Sequence, residues 1–206
     1  MLYGFLRIVF WGIAGMILFV VLKKKFASKR LALVSSITLF FVAGTVSSLL
    51  PIENLFIDFK SPESVFHYYQ SGKVDDVIYG NNSSMVIYSK NGSSGGHFII
   101  PKSTRGYKVP SLFSVKKVSK KFDTDGNFDV YHVLGTDDYY IFGTTFLKGN
   151  EITIVDSNGR PVKYYAFESG DDFTKTVLLF SYVENFTNDY YFLINGEKVF
   201  ISDESI

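Results

Sequence analysis

Two apolar runs near the start of the chain, separated by a short basic loop, dominate the pattern of hydrophobic and polar positions. Met1–Leu22 contains one charged residue, Arg7, and Leu31–Leu50 contains none. Each run has about the 20 residues that an α-helix needs to cross a hydrocarbon core of about 30 Å. The pattern predicts an N-terminal transmembrane hairpin over residues 1–50, with helices at about 2–22 and 31–50 and a loop at 23–30.

The loop predicts the orientation of this hairpin. Five of its eight residues are Lys or Arg, and short loops rich in these residues stay on the cytoplasmic side. We therefore expect a multi-pass cell-membrane protein whose N-terminus and C-terminal domain both lie outside. The alternative is cleavage before residue 51, because Leu31–Leu50 follows basic residues and ends in small ones, as a signal sequence does.

Arg7 and four small residues stand out within the two predicted helices. Neither helix contains an acidic residue or a histidine that could pair with Arg7, so we expect its guanidinium to reach towards the lipid headgroups, and contact with a polar partner is the alternative. Small residues four positions apart allow two helices to approach closely. We expect the hairpin itself to use them, and a partner helix is the alternative. The pairs are Ala43 with Ser47 and Gly44 with Ser48.

The chain after the hairpin begins with a tether and one short helix. Residues 51–60 mix Ile, Leu and Phe with charged residues, which suits a segment in the headgroup layer or a first strand. Ser61-Pro62-Glu63 has the residues preferred at the start of a helix, and Ser71-Gly72 is a typical stop. The pattern predicts a helix from Pro62 to Gln70.

Beyond Gly72 the chain is a series of short β-rich runs, separated by Gly, Asn and Asp at intervals of about ten residues, which is typical of antiparallel sheets. Asn195-Gly196 predicts a type I′ hairpin and Asn91–Gly96 a long, mobile hairpin tip. Thr176–Phe186 is apolar on both alternating faces, which predicts a central strand. The predicted strands are 76–79, 84–90, 97–101, 112–118, 128–134, 139–144, 151–155, 162–167, 176–186, 190–194 and 198–201.

These elements predict a mainly β (α+β) fold in which residues 61–206 form an antiparallel β-rich extracytoplasmic domain with one short helix. A seam near 120–126 would separate a helix-containing front half from an all-β rear half of β-sandwich type. The chain has no cysteine, which excludes disulfides and thiolate metal sites. The 28 Phe and Tyr residues after residue 50 provide material for an apolar core.

The charge distribution narrows the class of partner. Residues 1–50 hold six of the 21 basic side chains and no acidic one, which leaves 15 basic and 20 acidic groups, a formal charge of −5, for residues 51–206. An acidic domain with scattered basic residues has no electrostatic reason to bind nucleic acid. The expected partners are the lipid bilayer and an unidentified membrane-protein or envelope component.

Two features could suggest a metal site. Asp123–Asp129 begins like a calcium loop, but an EF-hand needs Gly and Glu where this chain has Phe128 and Leu134, so a hairpin turn is expected and an irregular calcium site is the alternative. The three histidines, His67, His97 and His132, lack metal-ligand spacing. His132 is expected to be half-buried in a sheet.

Neighbouring acidic residues are the remaining candidates for acid–base chemistry. Adjacent residues of an extended strand point to opposite faces, so we expect solvated turns rather than paired carboxylates. Asn158–Pro161 is likewise expected to be a turn. No catalytic, metal-binding or cofactor-binding residue is predicted. The acidic pairs are Asp75-Asp76, Asp137-Asp138 and Asp171-Asp172.

Turn and cap motifs follow one another between residues 60 and 115. They are Ser61-Pro62-Glu63, Ser71-Gly72-Lys73-Val74, Gly80-Asn81-Asn82-Ser83, Ile100-Pro101-Lys102 and Gly106-Tyr107-Lys108-Val109. This succession resembles a family of uncharacterised membrane-anchored or lipid-anchored outer domains of Gram-positive bacteria. The resemblance implies an extracytoplasmic β-rich domain without an assigned activity. The chain departs from the family in its two-helix anchor, which stands in place of a lipid-modified cysteine.

Three classes of function are open at this point. The first is a non-enzymatic, membrane-anchored extracytoplasmic binding or interaction module. The second is an accessory subunit whose helices dock onto a membrane transporter or sensor, and the third is a cell-envelope hydrolase. Three histidines, no cysteine and no convergent polar motif favour a binding module over an enzyme.

Overall fold

The computed structural model describes residues 2–25, 28–123, 126–149, 151–168 and 174–202. Its helices are α1 (Leu2–Lys25), α2 (Lys29–Leu49) and α3 (Pro62–Tyr69), with a 3-10 turn at Ile52–Leu55. Its strands are β1 (Lys73–Tyr79), β2 (Ser83–Lys90), β3 (Ser93–Ser103), β4 (Gly106–Tyr107), β5 (Val115–Asp123), β6 (Gly126–Val133), β7 (Asp138–Lys148), β8 (Ile154–Asp156), β9 (Lys163–Glu168), β10 (Thr174–Glu184), β11 (Tyr191–Ile194) and β12 (Glu197–Phe200). The fold is mainly β with antiparallel sheets, as predicted.

The first two helices, α1 and α2, pack against each other as a helical hairpin. Ala32 and Ser36 of α2 are buried one turn apart. Phe40 continues this stripe, and a Cβ built on Gly15 of α1 would lie 3.1 Å from its ring. The seam of the hairpin therefore runs along a stripe of small residues that ends on an aromatic ring.

The small residues further along α2 lie on the same side. Ala43 and Gly44 are intermediate in exposure. A Cβ built on Gly44 would meet no atom within 4 Å, so the close helix approach expected at Gly44 is not found there. The side chains of Ser47 and Ser48 are outside the described residues.

Only part of the predicted membrane topology is supported. Among the described residues one helical stretch, Lys29–Val46, is long and apolar enough to cross a membrane. This is the length and composition found in membrane anchors and in signal sequences. The expected pair of transmembrane spans is not supported by this criterion, although α1 and α2 do form a hairpin.

Local signals in the sequence account for α3 and for the last hairpin. The N-cap hydroxyl of Ser61 accepts the Ser64 N–H at 3.3 Å, while the Ser64 hydroxyl accepts the Ser61 N–H at 3.3 Å, which closes a capping box. Pro62 occupies the first turn, and the helix ends one residue before the predicted boundary. Asn195-Gly196 joins β11 to β12 with φ of 51° and 87°, as a type I′ turn requires.

The β-rich part of the chain is built in four layers. Helix α3 covers one face of a four-stranded sheet with the order β1-β2-β3-β4. The other face of this sheet packs on a five-stranded sheet, β5-β6-β7-β10-β9, whose far face packs on a three-stranded sheet, β12-β11-β8. Each of the three interfaces holds its own apolar core.

Strand β10 illustrates this layering. Val177 and Leu179 point into the core shared with the three-stranded sheet, whereas Leu178 and Phe180 point into the core shared with the four-stranded sheet. The strand pairs with β7 on one side and β9 on the other. The predicted central strand over Thr176–Phe186 is therefore confirmed.

The hairpin between β2 and β3 is tighter than predicted. Its turn consists of Asn91-Gly92, with φ of 53° and 80°, and the ladder resumes directly with Lys90 opposite Ser93. The expected long tip over Asn91–Gly96 is wrong, because residues 93–96 belong to β3.

The predicted seam near 120–126 falls within another hairpin. Strands β5 and β6 pair from Val115–Val133 to Asp123–Gly126, and residues 124–125 lie outside the described part. The chain passes from the four-stranded to the five-stranded sheet earlier, between Tyr107 and Val115.

Candidate functional site

Two segments connect the helical hairpin to the β-rich part of the chain. They are residues 49–60 and 107–114, and together we call them the junction. The side-chain amide of Asn54 donates to the Val109 carbonyl at 2.8 Å and accepts the Val109 N–H at 2.8 Å. The expected tether over residues 51–60 is thus a structured segment that is clamped to the β-rich part.

Further contacts of the junction involve the end of α2 and a buried lysine. The Leu112 N–H donates to the Leu49 carbonyl at 3.3 Å. The Lys108 ammonium donates to the Asp58 carboxylate at 2.5 Å and to the Asn54 carbonyl at 3.2 Å. The Leu112 bond attaches the 107–114 segment to the last turn of α2, and the Lys108 bonds join the two segments to each other.

Arg7 of α1 also takes part in this region. Its Nε donates to Glu53 Oε1 at 2.8 Å and its Nη2 to Oε2 at 3.1 Å, and the two side chains are only 12% and 8% exposed. Burial, and after it the neighbouring Glu53 carboxylate, raises the pKa of Tyr68 on α3. The expectation that Arg7 reaches towards headgroups without a protein partner is wrong, because its partner follows α2 rather than lying within either helix.

A cleft opens beside the junction. It has a volume of about 390 Å³ and lies between the end of α2, helix α3, strands β3 and β6, and residues 110–112. We call it the junction cleft. The residues that define it are Leu49, Tyr69, His97, Phe98, Leu112 and Tyr131.

Aromatic rings form much of the wall of the junction cleft. Tyr69 of α3 stacks on Phe98 of β3, with ring centroids 5.1 Å apart and an angle of 20° between planes. His97 lies 5.3 Å from the Tyr131 ring and stacks on Phe142 at 4.7 Å. Such surfaces present large apolar faces with polar tips.

The charged groups near the cleft are paired with each other. Lys117 and Asp129 form an ion pair at 2.6 Å across β5 and β6, and the Tyr131 hydroxyl donates to the same carboxylate at 3.3 Å. Burial lowers the pKa of His97, and the nearby Asp129 only partly opposes this effect. His97 is therefore neutral near pH 7, when its ring carries one donor and one acceptor nitrogen.

Part of the backbone edge of β3 faces this cleft. The Pro101 carbonyl accepts the Lys108 N–H at 2.9 Å on the outer edge of the strand. Backbone groups repeat every second residue along a strand, so those of Ile99 and His97 point to the same edge. Strand β4 pairs only with Lys102 and Ser103, and within the described ranges no strand covers the edge at 97–99.

The histidines that the sequence drew attention to are far from forming a metal site. His67 is exposed on α3, while His132 is half-buried, stacks on Tyr139 at 4.4 Å and has Nε2 2.8 Å from the Thr136 carbonyl. The half-buried sheet position predicted for His132 is confirmed. Across the part of the chain that the structure describes, no group of three or more His, Asp or Glu side chains could hold a metal ion.

The acidic pairs differ from one another. Asp138 is fully buried, against the expectation of a solvated turn, and accepts the Asn82 N–H at 2.8 Å, the Ser83 hydroxyl at 2.5 Å and the Tyr182 hydroxyl at 3.0 Å. Burial raises the pKa of Tyr182 to about 12. This node ties the β1–β2 turn to the five-stranded sheet, so its role is structural.

Of the other acidic candidates, Asp75 and Asp76 lie within β1 and not in the expected turn. Asp75 accepts the Ser89 hydroxyl at 3.2 Å, and Asp76 forms an ion pair with Lys163. Asp137 is exposed in a bend, as expected. In the calcium-like segment, Asp129 is paired with Lys117 as described above. Asp125 lies outside the described residues, and so does the pair Asp171-Asp172.

The Asn158–Pro161 segment is a turn, as predicted, and it is closed by Asp156. The Asp156 carboxylate accepts the N–H groups of Asn158 and Arg160 at 2.9 and 2.8 Å and pairs with the Arg160 guanidinium at 2.8 Å. Burial alone would raise the pKa of Asp156, but the bonds from Arg160 outweigh it and hold the pKa below its usual range.

A second, larger cavity lies between α1 and α2. This lateral groove has a volume of about 740 Å³ and is lined by apolar residues together with Ser36. It offers no converging polar groups, and acyl chains would fill such a groove in a bilayer. The junction cleft is the better candidate, because it combines apolar surface with polar groups.

Sequence reasoning did not identify the junction cleft. Its aromatic residues come from α3, β3 and β6, which are separated by up to 62 positions between Tyr69 and Tyr131. The only signal was the high aromatic content after residue 50. Comparison of the chain with protein-family models, with curated proteins and with solved structures finds no match.

Proposed function

We propose that the chain is a two-pass membrane protein whose β-rich part is an extracytoplasmic, non-enzymatic binding module. Three observations support the anchor. The outer faces of α1 and α2 are apolar, with residues such as Ile17 and Phe41 more than 60% exposed. The loop between them is basic. The junction contacts both helices, since Glu53 pairs with Arg7 of α1 and Leu112 bonds to the last residue of α2. The resemblance to outer domains of Gram-positive bacteria is consistent with this location.

Labelling of single cysteines tests the topology, because the natural chain contains none. In intact cells a membrane-impermeant maleimide should modify Lys120→Cys on β5 and Leu2→Cys at the first residue of α1, but not Ser28→Cys in the loop. Labelling of Ser28→Cys without permeabilisation would overturn the orientation. Modification of Lys120→Cys together with protection of Leu2→Cys would instead favour a single span.

We take an extended peptide segment to be the ligand class of the junction cleft. The observation that carries this is the uncovered edge of β3 at 97–99, where an extended chain can add as a further strand and receive main-chain hydrogen bonds. Aromatic side chains on both sides of this edge, Tyr69 and Tyr131, provide surfaces for alternate side chains of the ligand. Neutral His97 adds a hydrogen-bonding group without a charge.

A photocrosslinking pair tests this binding role. The photoreactive amino acid p-benzoylphenylalanine is placed at Tyr69 or at Tyr164, which are 36% and 38% exposed, so the two positions are matched in residue type and exposure. In native membranes the Tyr69 position should give a discrete adduct whose tryptic fragments are peptide, and the Tyr164 position should not. Equal labelling of both positions, or adducts of lipid alone at Tyr69, would remove the support for a peptide-binding cleft.

A second candidate function is an accessory subunit of a membrane transporter or sensor. The observation that favours it is mechanical, since the cleft wall at Leu112 is hydrogen-bonded to the last turn of α2 at Leu49. A ligand that moves Leu112 in the cleft would therefore also move the end of α2. The same photoreactive residue at Ile13, which is 51% exposed on α1, should capture a membrane protein through its helices; capture of lipid alone would count against this candidate.

A further inference from the structure

Five large apolar side chains are exposed together at the junction. They lie between 50% and 78% exposed, and we call them the apolar collar. Its members are Leu50, Leu55, Phe56, Leu112 and Phe113.

Backbone contacts place the collar residues side by side. Leu50 directly follows α2 as its C-cap, with its N–H bonded to the Val46 carbonyl at 3.0 Å. The Leu112 N–H reaches the neighbouring Leu49 carbonyl, which sets Leu112 and Phe113 beside the end of α2. The collar is therefore a continuation of the apolar surface of α2 onto the β-rich part.

The 3-10 turn supplies the remaining two members. Asn54 is clamped to Val109 by a pair of hydrogen bonds, so the backbone that carries the exposed Leu55 and Phe56 lies next to the 107–114 segment. Large exposed apolar patches mark surfaces that contact a membrane, another protein or a ligand.

The two stretches of chain that carry the collar, residues 49–57 and 109–114, contain almost no charge. Residues 49–57 contain a single ionisable side chain, Glu53, which is paired with Arg7, and residues 109–114 contain none. The nearest lysine, Lys108, is engaged by Asp58. An uncharged, apolar surface that adjoins a candidate membrane span suits the boundary between headgroups and acyl chains.

We infer that the collar is seated in the outer leaflet of the bilayer, so that the β-rich part rests on the membrane in one orientation, with the junction cleft opening at the membrane surface. The occupant of the collar is lipid. This inference rests on the proposed membrane crossing of α2, and it adds a second lipid contact made by the folded domain itself.

The experiment uses the full chain reconstituted in phosphatidylcholine–phosphatidylglycerol vesicles, with the fluorophore NBD on single cysteines. Collar reporters are Phe56→Cys and Phe113→Cys. The aqueous control is Phe122→Cys, an 81% exposed aromatic position, seven residues along β5 from Val115 and so about 23 Å further along that strand. The membrane control is Ile37→Cys on α2, which is 47% exposed.

Nitroxide-labelled lipids should quench NBD at both collar positions and at Ile37→Cys, and should leave NBD at Phe122→Cys unquenched. If Ile37→Cys is quenched but the collar positions behave like Phe122→Cys, the collar inference is overturned while the membrane anchor stands. If Ile37→Cys is not quenched, the proposed anchor itself fails. A third result is that NBD at the collar positions is quenched neither by aqueous iodide nor by lipid nitroxide. Another protein or a second copy of the chain would then cover the collar, and the inference would also be overturned.

Substitution of the collar provides an independent measurement. The pair Phe56→Ser and Phe113→Ser should reduce lipid quenching of NBD at Leu55→Cys, whereas the matched pair Phe122→Ser and Phe146→Ser, on positions that are 81% and 62% exposed, should leave it unchanged. Unchanged quenching in both double variants would contradict a seating role for the two collar phenylalanines.

Discussion

The guanidinium of Arg7 forms a two-pronged ion pair with the carboxylate of Glu53, 46 positions away, at 2.8 and 3.1 Å. The pair links α1 directly to the junction, and both side chains are almost completely buried. A charge in an apolar helix is costly unless it is paired and hydrogen-bonded. Pairing with Glu53 explains how α1 tolerates Arg7 and fixes the hairpin relative to the β-rich part.

The first prediction concerns this ion pair. Glu53→Ala should lower the free energy of unfolding of the full chain in detergent by about 3 kcal/mol, since it removes both ion-pair bonds of the almost buried Arg7 guanidinium. Thermal and denaturant unfolding provide the measurement. The double variant Arg7→Leu with Glu53→Leu should recover much of the loss, because two apolar side chains replace the pair.

The control for the ion pair is Lys73→Ala. Lys73 lies 3.8 Å from Asp75 and its side chain is 83% exposed, so its loss should cost no more than about 1 kcal/mol. Similar losses for Glu53→Ala and Lys73→Ala would mean that the Arg7–Glu53 pair is solvated and does not brace the hairpin.

The second prediction concerns the buried node at Asp138. Tyr182→Phe removes the hydroxyl that donates to this carboxylate at 3.0 Å and should cost about 2 kcal/mol, since hydrogen bonds to charged groups are among the stronger ones. Tyr79→Phe, at an exposed position, should change the free energy of unfolding by less than about 0.5 kcal/mol. Equal effects in chemical denaturation would argue that Asp138 is satisfied without Tyr182.

The third prediction is a pH dependence that arises from His97. Burial lowers its pKa, so on acidification the unfolded chain takes up a proton near the ordinary pKa of about 6.5 while folded His97 takes up its proton only at a lower pH. The unfolded state then binds more protons, and stability falls as pH drops through this value towards the folded pKa. Melting temperatures compared at about pH 7.5 and about pH 5.5 should show this decrease.

Two variants isolate the contribution of His97. His97→Gln should reduce the loss of stability between the two pH values, because the titrating group is gone. His67→Gln, at an exposed position on α3, should keep the loss seen in the natural protein. A pH response that is identical in all three proteins would assign the effect to other groups.

The fourth prediction concerns the seam between α1 and α2. A Cβ at Gly12 would meet no atom within 4 Å, whereas a Cβ at Gly15 would lie 3.1 Å from the Phe40 ring. Gly12→Ala should therefore stabilise the hairpin by up to about 1 kcal/mol through helix propensity, while Gly15→Ala should gain less or lose stability. Unfolding in detergent micelles measures both, and a larger gain for Gly15→Ala would show that the helices do not pack along this seam.

Much of the secondary structure could be predicted from local patterns. The ends of α3 follow from Ser61, Pro62 and the Ser71-Gly72 stop, and the last hairpin follows from Asn195-Gly196, because these residues act on the backbone within a few positions. The apolar residues on both faces of Thr176–Phe186 predicted a central strand, and β10 does lie between β7 and β9. The short strand β4 was missed, since two residues, Gly106 and Tyr107, carry no periodicity.

By itself, the sequence determined the helical hairpin, the β-rich character of the remainder and most strand positions, since capping, turn chemistry and alternation are local properties of the chain. Only the tertiary structure decided that Arg7 meets Glu53, that Asp138 is buried rather than solvated, and that the edge of β3 faces a cleft beside α2. Such relationships depend on which sheet faces stack and on how the chain returns after many residues. Periodicity shows that a face is apolar, but it does not identify the face against which it packs.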